Sequence, residues 1–212
     1  MAAEGTMVDP LFEESQVSPS VSAEEAPEFF ERHGFFYQTD SKIGRLVTTL
    51  DNDGAADGPG GLAFFKEALL ASPRVRKILE SYDEHPSLWY SLGCDPGHYF
   101  ASTIDPHQDH RLVIYVWSPG TRLEFCDGSH IGQLKGVRAS NGMAEVPLSF
   151  LKKRRVSILQ VKMEEGGIAL VHPRLAFQST AGFSMAYAVQ KSPHKTDINT
   201  RQPLGGQDSK AD

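Results

Sequence analysis

Cysteine is scarce in this sequence: two residues, Cys94 and Cys126, among 212. They stand in separate segments with no paired spacing, so no disulfide framework is indicated and reduced thiols in an intracellular protein are the expectation. Long apolar runs are missing as well, and nothing approaches the roughly 20 apolar residues of a membrane-spanning helix. A basic surplus is absent: 21 Lys and Arg face 27 Asp and Glu, for a formal net charge of -6. A broad phosphate-binding surface is therefore not expected, and nucleic acid is not an expected partner. The densest basic run, Lys152-Lys153-Arg154-Arg155, is short and reads as a solvated strand end. Met1 to Glu14 is acidic and lacks the apolar stretch of a signal peptide, so a cytoplasmic protein is expected. Internal repeats are absent, and so is the regular helix–strand alternation of a doubly wound sheet.

What is present falls into three zones. Residues 1–26 are rich in Glu, Ser, Ala and Pro, with little apolar periodicity, and read as a disordered tail. Residues 192–212 read the same way. Between them, residues 27–191 form one domain, long enough to build its own core. It opens with a short helix from Pro27 to Arg32, stopped by Gly34. A loop dense in Gly, Asp and Asn covers Asp51 to Gly61. Leu62, Phe65, Leu69 and Leu70 recur at helical spacing, and Pro73 begins a second segment with Val75, Ile78 and Leu79. From Leu88 the pattern turns to strands: Leu112–Trp117, Arg122–Cys126, Val156–Met163, Ile168–Val171 and Phe183–Val189. Helices first and short strands after predict a mainly β fold, an antiparallel barrel or sandwich with helices outside.

Two segments concentrate the chemistry. The first is Asp105-Pro106-His107-Gln108-Asp109-His110, and the second is Gly166-Gly167 followed by a strand and His172. On an extended chain His107 and Asp109 share a face, and His172 ends a strand able to meet them. Two His and one carboxylate leave open positions on a metal, the arrangement of non-haem Fe(II) oxygenases. Zinc tolerates the same donors, so residue types alone leave the metal open. Asp105 and His110 are internal competitors for the ligand roles. His130 either touches the rim of a pocket or caps a turn.

Taken together, these residues resemble the Fe(II)/2-oxoglutarate dioxygenase superfamily, and within it the phytanoyl-CoA dioxygenase-like branch. The matching pieces are His107-Gln108-Asp109, Gly128-Ser129-His130, the Gly-Gly strand with His172, and the opening Glu28 to Phe35. The resemblance implies a double-stranded β-helix, the jelly-roll or cupin-like barrel. It implies Fe(II) on His107, Asp109 and His172, 2-oxoglutarate as co-substrate, dioxygen, and oxidation of a small molecule, as in secondary metabolism. One departure stands out. Members of the branch carry an Arg ten to fourteen residues after the distal His to grip the far carboxylate of 2-oxoglutarate, and here Gly182 to Ala186 contains no basic residue. A buried carboxylate needs a counter-charge, so Arg174 is the first candidate anchor and Arg122 the second. Two alternatives remain open: a cupin-type enzyme that uses no 2-oxoglutarate, and a non-catalytic barrel that kept the metal residues. The sequence leaves the substrate and the oligomeric state open.

Overall fold

The structure is a computed structural model, described for residues 12–13, 16–17, 21–53, 61–82 and 87–192. Side chains are described from 21 onward, those of 61–64 and 87–90 excepted. Two short strands come first, β1 (Phe12–Glu13) and β2 (Gln16–Val17). α1 (Ala26–His33) carries Pro27 in its first turn and ends on Gly34, whose left-handed φ of 77° lets its N–H close on the Phe30 carbonyl. β3 (Phe35–Thr39) follows directly.

α2 (Ser41–Asn52) is an element the sequence reading passed over. Its N-cap Asp40 accepts from the amides of Lys42 and Ile43, and Ile43, Val47 and Leu50 bury one face at helical spacing. α3 (Gly61–Ala71) and α4 (Pro73–Leu79) divide where expected, at Ser72-Pro73. Most of the loop expected over Asp51 to Gly61 lies outside the described residues, and Asp51 and Asn52 close α2.

The strands then run in close succession: β4 (Ser87–Leu92), β5 (Tyr99–Ala101), β6 (Arg111–Trp117), β7 (Thr121–Asp127), β8 (Val137–Arg138) and β9 (Ala144–Val146). After α5 (Leu148–Arg154) come β10 (Ser157–Met163), β11 (Gly167–Val171), β12 (Phe177–Ala181) and β13 (Ser184–Gln190). α5 corrects the reading of the basic run. Lys152, Lys153 and Arg154 form the last turn of a helix, where cations face the negative end of its dipole.

The strands make two antiparallel sheets, ordered β1-β2-β3-β11-β6-β13-β4 and β10-β7-β12-β5-β9-β8. This is the expected mainly β jelly roll, with its helices outside. Register decides which residues fill it. Across the larger sheet, Phe36, Leu170, Ile114 and Tyr187 lie in one row. That row faces the helices, since the Tyr187 ring meets Phe65 of α3 at 6.2 Å. The neighbouring row, Tyr37, Ala169, Tyr115 and Ala186, faces the other sheet. There Phe35 stacks on Phe125 at 4.8 Å, and Tyr115 meets Phe177 edge-on at 5.1 Å. Trp117 stacks on Tyr115 at 5.2 Å. Phe35, Tyr37, Tyr115, Trp117, Phe125 and Phe177 are all buried, so the space between the sheets is an aromatic core. Aromatic side chains bury the largest areas available and gain further from edge-on and offset contacts.

The two expected tails meet the described residues at their edges. β1 pairs with β2, and β2 with β3 through Gln16 and Gln38, so part of segment 1–26 adds to the sheet. Ser192 is buried, and its amide donates to the Ser81 carbonyl at 3.0 Å. The rest of both tails lies outside the described residues. No helix among the described residues is long and apolar enough to cross a membrane. Cys94 and Cys126 are free thiols, one exposed and one buried.

Candidate functional site

The first motif is folded differently from the extended strand end the sequence suggested. Asp105 caps a 3-10 turn over Pro106–Gln108, accepting from the His107 amide at 2.9 Å, and Asp109 follows with φ -66° and ψ -13°. An Asp-Pro step is a helix-start signal: the carboxylate takes an orphan amide and the proline presets φ. With three residues per turn, positions i and i+2 diverge by about 240° instead of sharing a face. His107 is accordingly exposed, while Asp109 is half-buried. His110 is exposed too, its ring Nδ1 donating to the His107 carbonyl at 2.9 Å.

Asp109 meets the second motif. His172 follows β11 directly and is anchored by its amide, which donates to the Gly34 carbonyl at 2.7 Å. Its Nε2 lies 3.8 Å from Asp109 Oδ1. Burial, then the neighbouring His130, push the His172 imidazole down to about 4, against the pull of Asp109. The ring is therefore neutral at ordinary pH. His130 packs against it with ring centroids 5.1 Å apart, and is itself pushed down by burial.

Arg174 completes the corner. Its Nε donates to Asp109 Oδ1 and its Nη2 to Oδ2, both at 2.6 Å, a two-pronged ion pair. Nη1 reaches the Gly132 carbonyl at 2.5 Å, and the backbone amide donates to His172 Nδ1 at 3.2 Å. Burial alone raises the Asp109 carboxyl, but the Arg174 hydrogen bonds and the nearby His172 hold it below its ordinary value.

The Gly128-Ser129-His130 step supports this corner from behind. Ser129 Oγ accepts from the Ala176 amide at 2.8 Å, and His130 Nε2 donates to the Glu31 carbonyl at 3.2 Å. Arg154, from α5, donates to the Ser129 carbonyl at 2.9 Å and to that of Ile131. The sequence reading left Arg154 in a basic run and noted Ser129 only as part of the Gly-Ser-His step. The Gly-Ser-His step marked the place, but nothing in its spacing pointed to α5.

The structure thus brings together Asp109, His172 and Arg174, and leaves His107 outside. Among the described residues, no group of three or more His, Cys, Asp and Glu side chains is gathered closely enough to hold a metal ion. Arg122 pairs across β7 and β10 with Lys162 and is exposed, on the face of the smaller sheet opposite Leu123 and Phe125. Neither expected anchor is therefore a free cation between the sheets. The inward positions of β13, where the resemblance places an Arg, are Ser184, Ala186 and Ala188.

No protein-family model matches the chain, and no curated protein sequence does. Solved structures match its path. The non-heme alpha-ketoglutarate-dependent carbocyclase SnoK from nogalamycin biosynthesis is 11% identical, with a TM-score of 0.54 over 88% of this chain and 96% of that one. The epimerase SnoN, in complex with Fe3+, alpha-ketoglutarate and nogalamycin RO, is 12% identical, with a TM-score of 0.55 over 88% and 92%. HygX from Streptomyces hygroscopicus, with nickel and 2-oxoglutarate bound, is 11% identical, with a TM-score of 0.51 over 80% and 87%. At such identities the likeness establishes a shared fold.

Proposed function

We propose that this chain is a non-haem Fe(II), 2-oxoglutarate-dependent oxygenase that oxidises a small molecule, of the kind made in secondary metabolism. The observation that carries the reading is the approach of Asp109, from the H-x-D step, to His172, from the distal strand, at 3.8 Å on one end of the jelly roll. The path shared with SnoK, SnoN and HygX supports it, since SnoK depends on 2-oxoglutarate and SnoN and HygX are seen with it bound.

The donor set fits such a metal in its chemistry: one carboxylate, and one imidazole kept neutral by burial, as a metal ligand must be. Both carboxylate oxygens of Asp109 accept from Arg174. Asp109 and His172 would hold the ion, and His107 would join by turning inward from the 3-10 turn. When bound, the iron supplies dioxygen activation coupled to oxidative decarboxylation of the keto acid. The chain's own contribution is positional. His130 and the Ser129 contacts fix the His172 segment, and the aromatic core closes the barrel to water behind the corner.

The test is iron- and oxygen-dependent conversion of 2-oxoglutarate to succinate. The wild-type protein is expected to form succinate, and Asp109→Asn is expected to lose at least 90%, roughly the tenfold that 1.4 kcal/mol of lost stabilisation gives. Succinate formation that persists undiminished in the variant moves the chemistry elsewhere.

A second reading rests on a separate observation. The inward row of β13 carries no cation, and Tyr115, Trp117 and Phe177 occupy the space beside it. A dicarboxylate entering there meets only neutral donors, roughly half as strong as charged ones. That favours a barrel that binds a small molecule at its rim without 2-oxoglutarate. Absence of succinate with every substrate, together with retained ligand binding, selects this reading.

A further inference from the structure

Arg174 is the residue the proposed metal chemistry leaves unexplained. Its side chain is 9% exposed, against 36% for that of Asp109, so the guanidinium is the buried partner of the pair. Three of its donors are used: Nε and Nη2 on the two oxygens of Asp109, and Nη1 on the Gly132 carbonyl. Its backbone amide adds a fourth contact, to His172 Nδ1. An amide can only donate, so Nδ1 accepts, and the proton of the neutral ring then sits on Nε2, facing Asp109. One residue thereby holds both candidate ligands in arrangements unsuited to a metal: the carboxylate by occupying both oxygens, the imidazole by its tautomer.

We infer that Arg174 is a built-in competitor for the metal, a resident cation that a divalent ion must displace before Asp109 and His172 can bind it. The inference rests on the metal reading proposed above. A planar guanidinium satisfies a carboxylate through two parallel hydrogen bonds, the geometry an incoming ion has to break. The apparent affinity for metal is then lower by the equilibrium between the paired and released states of Asp109. The proton on His172 Nε2 must also shift to Nδ1, which ends the contact with the Arg174 amide. The second-row contacts of Arg154 on the Ser129 and Ile131 carbonyls hold the loop that carries Gly132, and so hold the guanidinium in place.

The test is calorimetric titration of the full-length protein with Ni(II) alone, on wild type, Arg174→Gln and Arg174→Lys, with Asp109→Asn as the control. Glutamine removes the charge and lysine keeps it while losing the fork. The inference predicts that Arg174→Gln binds Ni(II) at least tenfold more tightly than wild type, that Arg174→Lys falls between them, and that Asp109→Asn loses binding. Equal or weaker binding in Arg174→Gln overturns the inference and leaves the metal reading standing. No binding in any of the proteins overturns the metal reading, and the inference with it. Thermal melting identifies a variant that fails to fold, and if Arg174→Gln fails, the lysine variant against wild type carries the comparison.

Discussion

At the scale of single residues, the site is a chain of charges and rings from Arg174 through Asp109 and His172 to His130. Its pH behaviour follows from the buried imidazole. His172 has a folded value of about 4 against an ordinary 6.5, so between those two values the unfolded chain takes up a proton that the folded one does not. Stability contributed by this group is therefore lost as pH falls from about 6.5 towards about 4, and His130, shifted the same way by burial, adds to the trend. Asp109 is shifted down, so its contribution persists until pH falls below the ordinary carboxylate range. The metal-free protein is expected to melt at a clearly lower temperature at about pH 5 than at about pH 7.5, and His172→Gln to flatten that slope. A melting temperature that is level or rises on acidification contradicts the assignment of a neutral buried ring.

At the scale of elements, much of the chain was legible. β6, β7, β10, β11 and β13 announced themselves through alternation and Gly or Pro boundaries, and Ser72-Pro73 marked the break between α3 and α4. α2, α5, the short strands β8, β9 and β12, and the turn at the H-x-D step were not legible. α2 holds Lys42, Arg45, Thr48 and Thr49 among its apolar positions, and its signal lies in the Asp40 cap and the Ile43, Val47, Leu50 stripe. The H-x-D step read as strand because alternation was assumed on both sides, whereas Asp105-Pro106 dictates a turn. That one local choice separates His107 from Asp109.

Gly34 offers a check on how α1, β3 and the site are fitted together. Its φ of 77° disfavours a side chain, and a Cβ there would lie 2.4 Å from His130 Nδ1. The neighbour is a packed ring, which has no flexible end to move aside. Gly34→Ala is expected to destabilise the protein by about 2 to 4 kcal/mol, adding left-handed strain of about 1 kcal/mol to overpacking of about 1 to 3 kcal/mol. Chemical denaturation measures it, and a change under about 0.5 kcal/mol would show that His130 is not held against this turn.

At the scale of the whole molecule, the jelly roll was predictable from the order of helices and strands, and the shared path with SnoK, SnoN and HygX agrees with it. What fills the jelly roll was not. Sequence alternation says which residues alternate but not which sheet face they meet, so alternation alone does not place Tyr115, Trp117 and Phe177. Register across β6, β11 and β13 settles that they pack against one another. The absence of an Arg between Gly182 and Ala186 was visible in the sequence. Its counterpart was not: Arg174, the cation expected to replace it, is committed to Asp109 on the rim.

The account stands or falls on whether a divalent ion occupies the corner between Asp109 and His172. The direct measurement is a crystal structure of the protein grown with Mn(II), with the ion located by its anomalous scattering. The account predicts a single strong peak between the Asp109 carboxylate and His172 Nε2, with Arg174 turned away from Asp109. A structure in which Arg174 still grips both oxygens of Asp109, and Mn(II) is absent or bound elsewhere, contradicts it.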